Sequence, residues 1–217
     1  VEHHDVDVAK VENLLLEMGN TNSITPDYKT CLGSGSFGVV YKGTYGGQEV
    51  AVKVINKHML INKGKYKKID KNEIIPFLKG IRHPNIISIF ALEDHGHELW
   101  LAMQLCDSSL DKYLKDNYPD FTFTCNILLQ GARGLEYLHD NDIIHRDMRP
   151  DNQLILVENS RPIIKITDFS LCKDVGDQPT SSMTTVWGNP NWIAPELLTE
   201  DGWRPTAVRY KRSIDVF

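Results

Sequence analysis

The sequence has little of what marks disulfide-stapled, metal-bound or membrane-spanning proteins. Its 217 residues include only four cysteines and no CxxC pair, so neither a disulfide framework nor a zinc site is indicated. The longest apolar stretch, residues 86–92, is interrupted by Ser88 and is too short to cross a bilayer, and no signal-peptide pattern opens the chain. We therefore expect a domain of a reducing, cytoplasmic compartment, without a membrane segment of its own.

Positive charge is not in excess either. The 24 lysines and arginines are outnumbered by 29 aspartates and glutamates, for a formal net charge of −5, so no nucleic-acid site is visible in this chain. Hydrophobic residues make up 41% and charged residues 24%, which is typical of an ordinary folded protein. The chain begins at Val1, so the domain can also belong to a longer parent that is membrane-tethered with this domain on the cytosolic side.

The first part of the chain carries a strand-like pattern. Residues 1–28 are acidic with one helical apolar stripe, which predicts a leader segment. From residue 28 to residue 55 the apolar period is two, and Gly46-Gly47 sits where a tight hairpin needs positive φ. This stretch therefore predicts an antiparallel meander.

The pattern then turns from strands to helices. The basic run 57–71, interpreted as a solvated connector, leads into a helix that carries Glu73, and a second β segment covers 86–92 and 99–105. Beyond residue 106 a long helix is predicted, with four apolar residues on one face, Leu128, Ala132, Leu135 and Leu138.

Two short strands follow that helix. They cover 153–157 and 163–167 and are joined by a turn at 158–162. We predict an α+β fold, with a leader at 1–28, a β-rich half at 29–105 and a helix-rich half at 106–217.

A glycine pattern lies within the meander. Gly33, Gly35 and Gly38 form GxGxxG, which alone is a weak signal because glycine-rich turns are often only turns. The sequence continues through Val40 as a strand, whereas a dinucleotide-binding turn would open a helix. The loop therefore joins two strands and suits a flap whose backbone N–H groups approach phosphate oxygens.

One lysine stands in an apolar strand beside that flap. Lys53 ends the run Val-Ala-Val-Lys, and an ammonium buried there needs an anion, for which Glu73 is the natural counter-charge. Taken alone, Lys53 is explained equally well by a strand-edge lysine that faces water. Glu73 taken alone is better explained as a solvated helix residue, so its role as counter-charge depends on its place upstream of His83-Pro84-Asn85.

The segment His-Arg-Asp-Met-Arg-Pro-Asp-Asn at 145–152 is the strongest signal. It places a potential general base, Asp147, five residues before an amide, Asn152, that can hold a metal ion. Asp168 then ends a strand with a second carboxylate suited to Mg²⁺. Here the chain closely resembles eukaryotic protein kinases, whose signature motifs match in order at Gly33, Gly35, Gly38, Val40, Lys53, Glu73, Asp147, Asn152, Asp168 and Glu196.

The resemblance implies a fold and a reaction. A kinase has a β-rich N-lobe and a helical C-lobe, and residues 213–217 resemble the start of its central C-lobe helix, so we expect an incomplete C-lobe. The reaction implied is transfer of the γ-phosphoryl group of ATP to serine or threonine hydroxyls of proteins, with Mg²⁺ as cofactor. Self-association for autophosphorylation is a further implication.

The resemblance also implies roles for single residues. Asp147 would accept the hydroxyl proton, and Arg149 would stabilise charge on the transferred phosphate. Lys53, held by Glu73, would bind the α- and β-phosphates. Asn152 and Asp168 would hold Mg²⁺. Adenine would lie between Leu32, Val40, Ala51 and Leu154. Met103 would close the back of the pocket and Gln104 to Cys106 would offer hinge backbone, although core packing also explains Met103 and Cys106.

A narrower resemblance rests on three short stretches. Residues 101–106, 168–173 and 192–198 are similar to the inositol-requiring kinase/endoribonuclease stress sensors. Ribonuclease activity is not implied by these stretches, since they belong to the kinase part of that family.

Four residues depart from the kinase pattern. Ser170 replaces a glycine, Arg149 a lysine and Asn189 a threonine, while Pro76 lies inside the helix that bears Glu73. These departures keep open a second interpretation, a pseudokinase-like scaffold that binds nucleotide and regulates a partner domain without turnover.

A hydroxyl-rich loop follows the second carboxylate. By resemblance, Thr184 and Thr185 lie nearest the usual activating position, and Arg146 would receive their phosphate. A surface loop without a regulatory role is the alternative.

Overall fold

The computed structural model describes residues 23–35, 38–57, 80–174, 190–192, 194–195 and 212–216. The chain divides into two compact units, one formed by residues 1–69 and 89–105, the other by residues 70–88 and 106–217. Strands make up the described part of the first unit, and both α-helices of the described residues lie in the second. The predicted α+β fold, with a β-rich and a helical lobe, is confirmed.

The first unit is built on one antiparallel sheet. Its strands are β1 (Ile24–Gly35), β2 (Gly38–Tyr45), β3 (Gln48–Asn56), β4 (Ile89–Asp94) and β5 (Glu98–Met103), in the order β1-β2-β3-β5-β4. The predicted hairpin turn is confirmed, because Gly46 and Gly47 join β2 to β3 with φ of 58° and 77°.

The two faces of this sheet differ. Val50, Val52 and Val54 of β3 pack on one face against Ile24, Ala91 and Ala102. Because side chains alternate along a strand, Ala51, Lys53 and Ile55 point to the other face. The same alternation that builds the core therefore presents Lys53 on the opposite side.

The second β segment is shorter than predicted. β4 begins only at Ile89, and residues 86–88 are not part of the sheet. Ile86 instead forms a single parallel bridge with Ile166, and the Ile87 N–H donates to the Ile166 carbonyl at 2.9 Å. The apolar run at 86–92 is therefore divided between two units, which periodicity alone does not reveal.

The second unit contains two capped helices. α1 (Leu110–Asp116) begins after Ser109, whose side chain accepts from the Lys112 N–H, and α2 (Phe121–Asp140) begins after Asp120, whose side chain accepts from the Phe123 N–H. The short strands are β6 (Ser108–Ser109), β7 (Ile143–Ile144), β8 (Gln153–Glu158), β9 (Arg161–Ile166) and β10 (Lys173–Asp174).

The buried face of α2 differs from the predicted one. Leu135 and Leu138 are buried as expected, but Leu128 and Ala132 are exposed. The face that packs toward β9 includes Gly134, where a Cβ atom would come within 2.8 Å of Ile166. The spacing of apolar side chains does not register glycine, so it did not reveal the face of α2 that packs in the structure. Leu128 and Ala132 instead line an apolar groove of about 400 Å³.

The β8–β9 hairpin is tighter than predicted. The strands extend to Glu158 and Arg161, so only Asn159 and Ser160 form the turn, with φ of 50° and 61°. Asparagine tolerates this left-handed conformation better than most residues, which explains the turn at this point. Proline is accommodated in β9, where Pro162 lies opposite Val157.

Two further expectations bear on the environment of the chain. None of the four cysteines, all of which are described, forms a disulfide. Among the described residues, no helix is both long and apolar enough to span a membrane. The leader predicted at residues 1–28 is too long, because residues 24–28 belong to β1. Its residues 1–22 and the helix expected around Glu73 lie outside the described residues.

Candidate active site

The candidate site residues fall into two sets, one in each unit, and each set is described within its own unit. The first set follows strands β1, β2, β3 and β5. The second set lies in the loop 145–152 and at the ends of β8 and β9.

Sheet register assembles the first set. Gly33 pairs with Val40, Val40 pairs with Lys53, and Lys53 pairs with Leu101, so these residues form one row across four strands. Ala51 pairs with Met103 in the neighbouring row of the same face. Paired residues of antiparallel strands share a face, so the structure brings Val40, Ala51, Lys53 and Met103 together.

The three motif glycines are not equivalent. A Cβ atom at Gly38 would lie 2.1 Å from the carbonyl oxygen of Val54, so close approach of β2 to β3 requires glycine there. At Gly33 and Gly35, a Cβ atom would meet no described atom within 4 Å. Packing thus accounts for Gly38, whereas the open backbone at the other two fits close approach of a ligand.

Lys53 is buried in β3. Only 6% of its surface is exposed, while Ala51 and Met103 are exposed to 7% and 8%. Burial of an ammonium requires an anion nearby, which is the property predicted from the sequence. The proposed counter-charge, Glu73, lies outside the described residues.

The residues around the proposed adenine pocket have different surroundings. Leu32 lies at the register shift of β1 between Cys31 and Gly33 and is 48% exposed, whereas Gln104, Cys106 and Leu154 are half-buried. Burial raises the pKa of the Cys106 thiol to about 12. Cys106 is therefore protonated at neutral pH and is not a nucleophile.

The second set centres on Asp147. The Asn152 Nδ2 group donates to the Asp147 carbonyl at 2.9 Å and to its Oδ2 atom at 2.7 Å. The Arg149 Nε atom lies 3.8 Å from the same Oδ2 atom, and Arg149 Nη1 lies 3.5 Å from Asp151 Oδ2. The structure thus brings together three residues of the predicted site, Asp147, Arg149 and Asn152.

The loop is anchored by His145 and Asp215. His145 is fully buried, donates from Nε2 to the Thr167 carbonyl at 2.9 Å, and accepts the Asp147 N–H at Nδ1 at 3.3 Å. The Asp215 carboxylate accepts the His145 N–H at 2.8 Å and the Arg146 N–H at 2.6 Å. It also lies 2.8 Å from His139 Nε2.

Asp215 was not predicted as a site residue. The side chain of Asp215 is completely buried. It binds the backbone of His145 and Arg146, the two residues before Asp147, and so supports Asp147 indirectly. The stretch 213–217 predicted only the start of a C-lobe helix, and the loop N–H groups that Asp215 binds lie about 70 residues earlier in the chain. A buried aspartate needs such partners, but the sequence does not say which N–H groups supply them.

Two residues of the site adopt left-handed backbone conformations. Arg146 has φ of 68° and Asp168 has φ of 61° and ψ of 72°. Such conformations cost about 1 kcal/mol or more in residues other than glycine and often occur at functional sites. The bonds from Asp215 to residue 146, and a hydrogen bond from Arg146 Nη2 to the Cys172 carbonyl at 3.5 Å, hold the turn.

Asp168 lies next to the Asn152 segment. The Thr167 N–H donates to the Asn152 carbonyl at 2.9 Å, so the residue before Asp168 is hydrogen-bonded to residue 152. Phe169 is buried against His145, with ring centroids 5.4 Å apart. Ser170 donates from Oγ to Asp168 Oδ1 at 2.8 Å.

These donors fit a magnesium ion. Asn152 uses its amide nitrogen to contact Asp147, which leaves its amide oxygen as the ligand, and Asp168 offers carboxylate oxygens. Amide and carboxylate oxygens are the ligand types that Mg²⁺ takes in phosphoryl-transfer sites. Within the described residues, no cluster of three or more histidine, cysteine, aspartate or glutamate side chains suggests a different metal.

Several predicted residues lie outside the described part of the chain. They are Glu73, Pro76, Thr184, Thr185, Asn189 and Glu196. Their roles stay predictions.

Comparison with known proteins now adds to this geometry. The family model described as the protein kinase domain matches residues 27–217. Myosin light chain kinase A of Dictyostelium discoideum is 35% identical over 182 residues, which cover 82% of this chain and 60% of that protein.

Two relatives belong to the narrower group predicted from the motifs. The serine/threonine-protein kinase/endoribonuclease ire-1 of Caenorhabditis elegans is 35% identical over 77% of this chain and 18% of its own length. Its namesake IRE1 of Hypocrea jecorina is 32% identical over 93% of this chain and 16% of its own length. This chain thus spans only part of each of these relatives. The predicted resemblance is confirmed, and the chain belongs to the protein kinase family.

Proposed function

We propose that the domain transfers the γ-phosphoryl group of ATP to serine or threonine hydroxyls of proteins. The observation that carries the proposal is the cluster around Asp147, in which Asn152 and Arg149 both approach one carboxylate oxygen. A carboxylate with such neighbours is held in place to orient a hydroxyl and accept its proton.

Each residue then has one task. Asp147 orients the substrate hydroxyl, and Arg149 places a guanidinium beside it that can meet a phosphoryl oxygen. Lys53, paired with Glu73, holds the α- and β-phosphates, and Asn152 with Asp168 holds the metal. Bound there, Mg²⁺ would supply positive charge that neutralises the phosphate oxygens.

Most of the residues that we propose to contact the nucleotide belong to the first unit, whereas Cys106 and Leu154 belong to the second. We propose that Gly33, Gly35 and Gly38 cover the phosphates and that the adenine contacts come from Leu32, Val40, Ala51, Met103, Gln104, Cys106 and Leu154. The shared sheet face of Val40, Ala51, Lys53 and Met103 supports this proposal. We propose that the first lobe ends at residue 105 and the second covers residues 106–217, with a leader that ends before β1 begins at Ile24.

Serine and threonine are the favoured substrates for two reasons. Pro150 precedes Asp151 and Asn152, as in kinases of that specificity, and the relatives named above include serine/threonine-protein kinases. We propose that the physiological context is a cytoplasmic one and that self-association permits autophosphorylation.

Regulation is proposed at the loop before residue 190. A phosphate on Thr184 or Thr185 would pair with Arg146, whose backbone is already held by Asp215. Phosphorylation would then stabilise the loop that carries Asp147.

A second candidate function is a nucleotide-binding scaffold without turnover. It is favoured by Arg149 and Ser170, which replace the lysine and glycine of active kinases. Under that function Mg·ATP would bind, and no phosphate would move.

Single-turnover release of ADP separates the two functions. The protein is mixed with limiting radiolabelled ATP, Mg²⁺ and a generic substrate protein, and the phosphorylated amino acids are identified. We expect phosphoserine or phosphothreonine together with stoichiometric ADP. Bound nucleotide without any ADP would favour the scaffold, and phosphotyrosine alone would contradict the proposed specificity.

A further inference from the structure

Ser170 stands where the kinase motif has glycine, and the structure gives this serine a specific partner. Its Oγ atom donates to Asp168 Oδ1 at 2.8 Å. Ser170 is only 5% exposed, so water has little access to replace that donor. The substitution therefore adds a buried hydrogen bond to the carboxylate proposed to hold Mg²⁺.

The backbone around this bond explains why it forms. Asp168 precedes a 3-10 turn at Phe169–Leu171, but its side chain accepts no capping bond from the backbone of that turn. The Ser170 hydroxyl takes the place of such a cap. Positive φ occurs at Asp168, whereas Ser170 lies within the right-handed turn, so residue 170 does not need the conformational freedom of glycine here.

We propose that Ser170 is a positioning residue that fixes the Asp168 carboxylate in the orientation required for Mg²⁺ binding. This inference rests on the proposed function, because it assigns Asp168 to the metal. The hydroxyl bonds to Oδ1, and a carboxylate has about four lone-pair sites, so this one bond does not exhaust its capacity to bind a cation. In other metal sites, hydrogen-bond partners of the ligands likewise fix the orientation of the ligating groups.

The experiment measures the Mg²⁺ dependence of nucleotide binding without turnover. A fluorescent ATP analogue is held at a fixed concentration while Mg²⁺ is titrated, and binding of the same analogue is measured in EDTA. The variants are Ser170→Ala and Ser170→Gly, which both lack the hydroxyl, and Ser170→Thr, which keeps it. Ser88→Ala, at an exposed position outside the site, is the matched control.

We expect Ser170→Ala and Ser170→Gly to raise the half-saturating Mg²⁺ concentration about tenfold, because loss of an outer partner typically weakens metal binding by about 10–100-fold. Binding in EDTA should stay unchanged, and Ser170→Thr and Ser88→Ala should behave like wild type. A structural role alone would weaken binding equally with and without Mg²⁺.

Each other result has a defined meaning. Half-saturating Mg²⁺ within twofold of wild type in Ser170→Ala overturns the inference, and so does a change in Ser170→Gly alone, since that would assign the effect to backbone freedom. Equal weakening in EDTA overturns it as well. If wild-type nucleotide binding does not respond to Mg²⁺, the proposed function fails together with the inference.

Discussion

The two sets of site residues are held in different ways. In the first unit, strand register alone aligns Val40, Lys53 and Leu101, and each strand supplies one member of the row. In the second unit, side chains and loop backbone are tied together by Asp215 and His145. In the sheet, the strand register that builds the core also aligns the site residues. The loop instead depends on hydrogen bonds to a side chain that is distant in sequence.

The difference has a practical meaning for mutational effects. Substitutions in the first unit act through steric fit at positions that register defines. Substitutions in the second unit act through polar contacts whose loss leaves buried groups without partners. The following predictions test this contrast, beginning with the largest effect.

Asp147→Asn should abolish most phosphotransfer. The amide cannot accept the hydroxyl proton, and general bases contribute about 10²–10⁴-fold in rate. We expect kcat to fall by at least about 10²-fold while nucleotide affinity changes little, measured by single-turnover ADP release and by binding of a fluorescent ATP analogue. Asp116→Asn, at an exposed position of α1, is the control and should keep wild-type activity. Full activity of Asp147→Asn would contradict the assigned base.

Asp215→Ala should damage both stability and rate. Two buried N–H groups, those of His145 and Arg146, would lose their acceptor, at a cost of about 1–3 kcal/mol each in the free energy of unfolding. Urea unfolding measures this loss. Asp215→Asn keeps one acceptor oxygen and should fall between Ala and wild type.

A variant of His139 tests which contacts of Asp215 matter most. His139→Ala removes the third contact of Asp215 and leaves both backbone bonds in place. We expect it to keep more activity than Asp215→Ala. Equal damage from both would show that the backbone bonds are not the important contacts.

Gly38→Ala and Gly33→Ala should separate packing from ligand approach. A Cβ atom at Gly38 would collide with backbone atoms of Val54, so we expect a loss of about 1–3 kcal/mol in the free energy of unfolding. Gly33 has open space, so its variant should change stability by less than about 0.5 kcal/mol. Gly33→Ala should instead raise the KM for ATP. The reverse order of stabilities would contradict the described register.

The smallest predicted effect concerns the Cys106 thiol. With a pKa of about 12, raised mainly by burial, Cys106 stays protonated well above neutral pH and reacts poorly with iodoacetamide. At pH 8.5 we expect alkylation at least about tenfold slower than at the exposed Cys31, followed by peptide mass spectrometry.

The same shift has a consequence for stability. Because folding favours the protonated thiol, its contribution is fully present below the ordinary pKa of 9.0 and is lost as pH rises from there toward about 12. Cys106→Ser should remove this part of the alkaline destabilisation. An unchanged alkaline profile would contradict the buried, protonated state.

Much of the fold was predictable because its signals are local. Apolar alternation predicted the meander, and Gly46-Gly47 predicted its hairpin. The loop motif singled out Asp147 and Asn152, which are five positions apart, and their side chains are hydrogen-bonded in the structure. These features depend on residues that are close in sequence, so a sequence pattern can predict them.

The rest depends on contacts between distant residues. The run at 86–92 looks continuous, yet residues 86–88 bond to Ile166 and only the remainder joins the sheet. Leu128 lies outside the packed face of α2 because glycines define that face. The role of Asp215 and the bond from Ser170 to Asp168 follow from side-chain placement, for which no repeat or spacing gives a signal.

The anchoring by Asp215 also bears on the order in which this chain matures during synthesis. The two loop N–H groups precede their acceptor by 70 and 69 residues, so they have no native partner until residue 215 has left the ribosome. The sheet of the first unit is complete in sequence by Met103 and can form earlier. We therefore expect a nascent chain to form the sheet of the first unit before the loop 145–152 gains its anchor at Asp215.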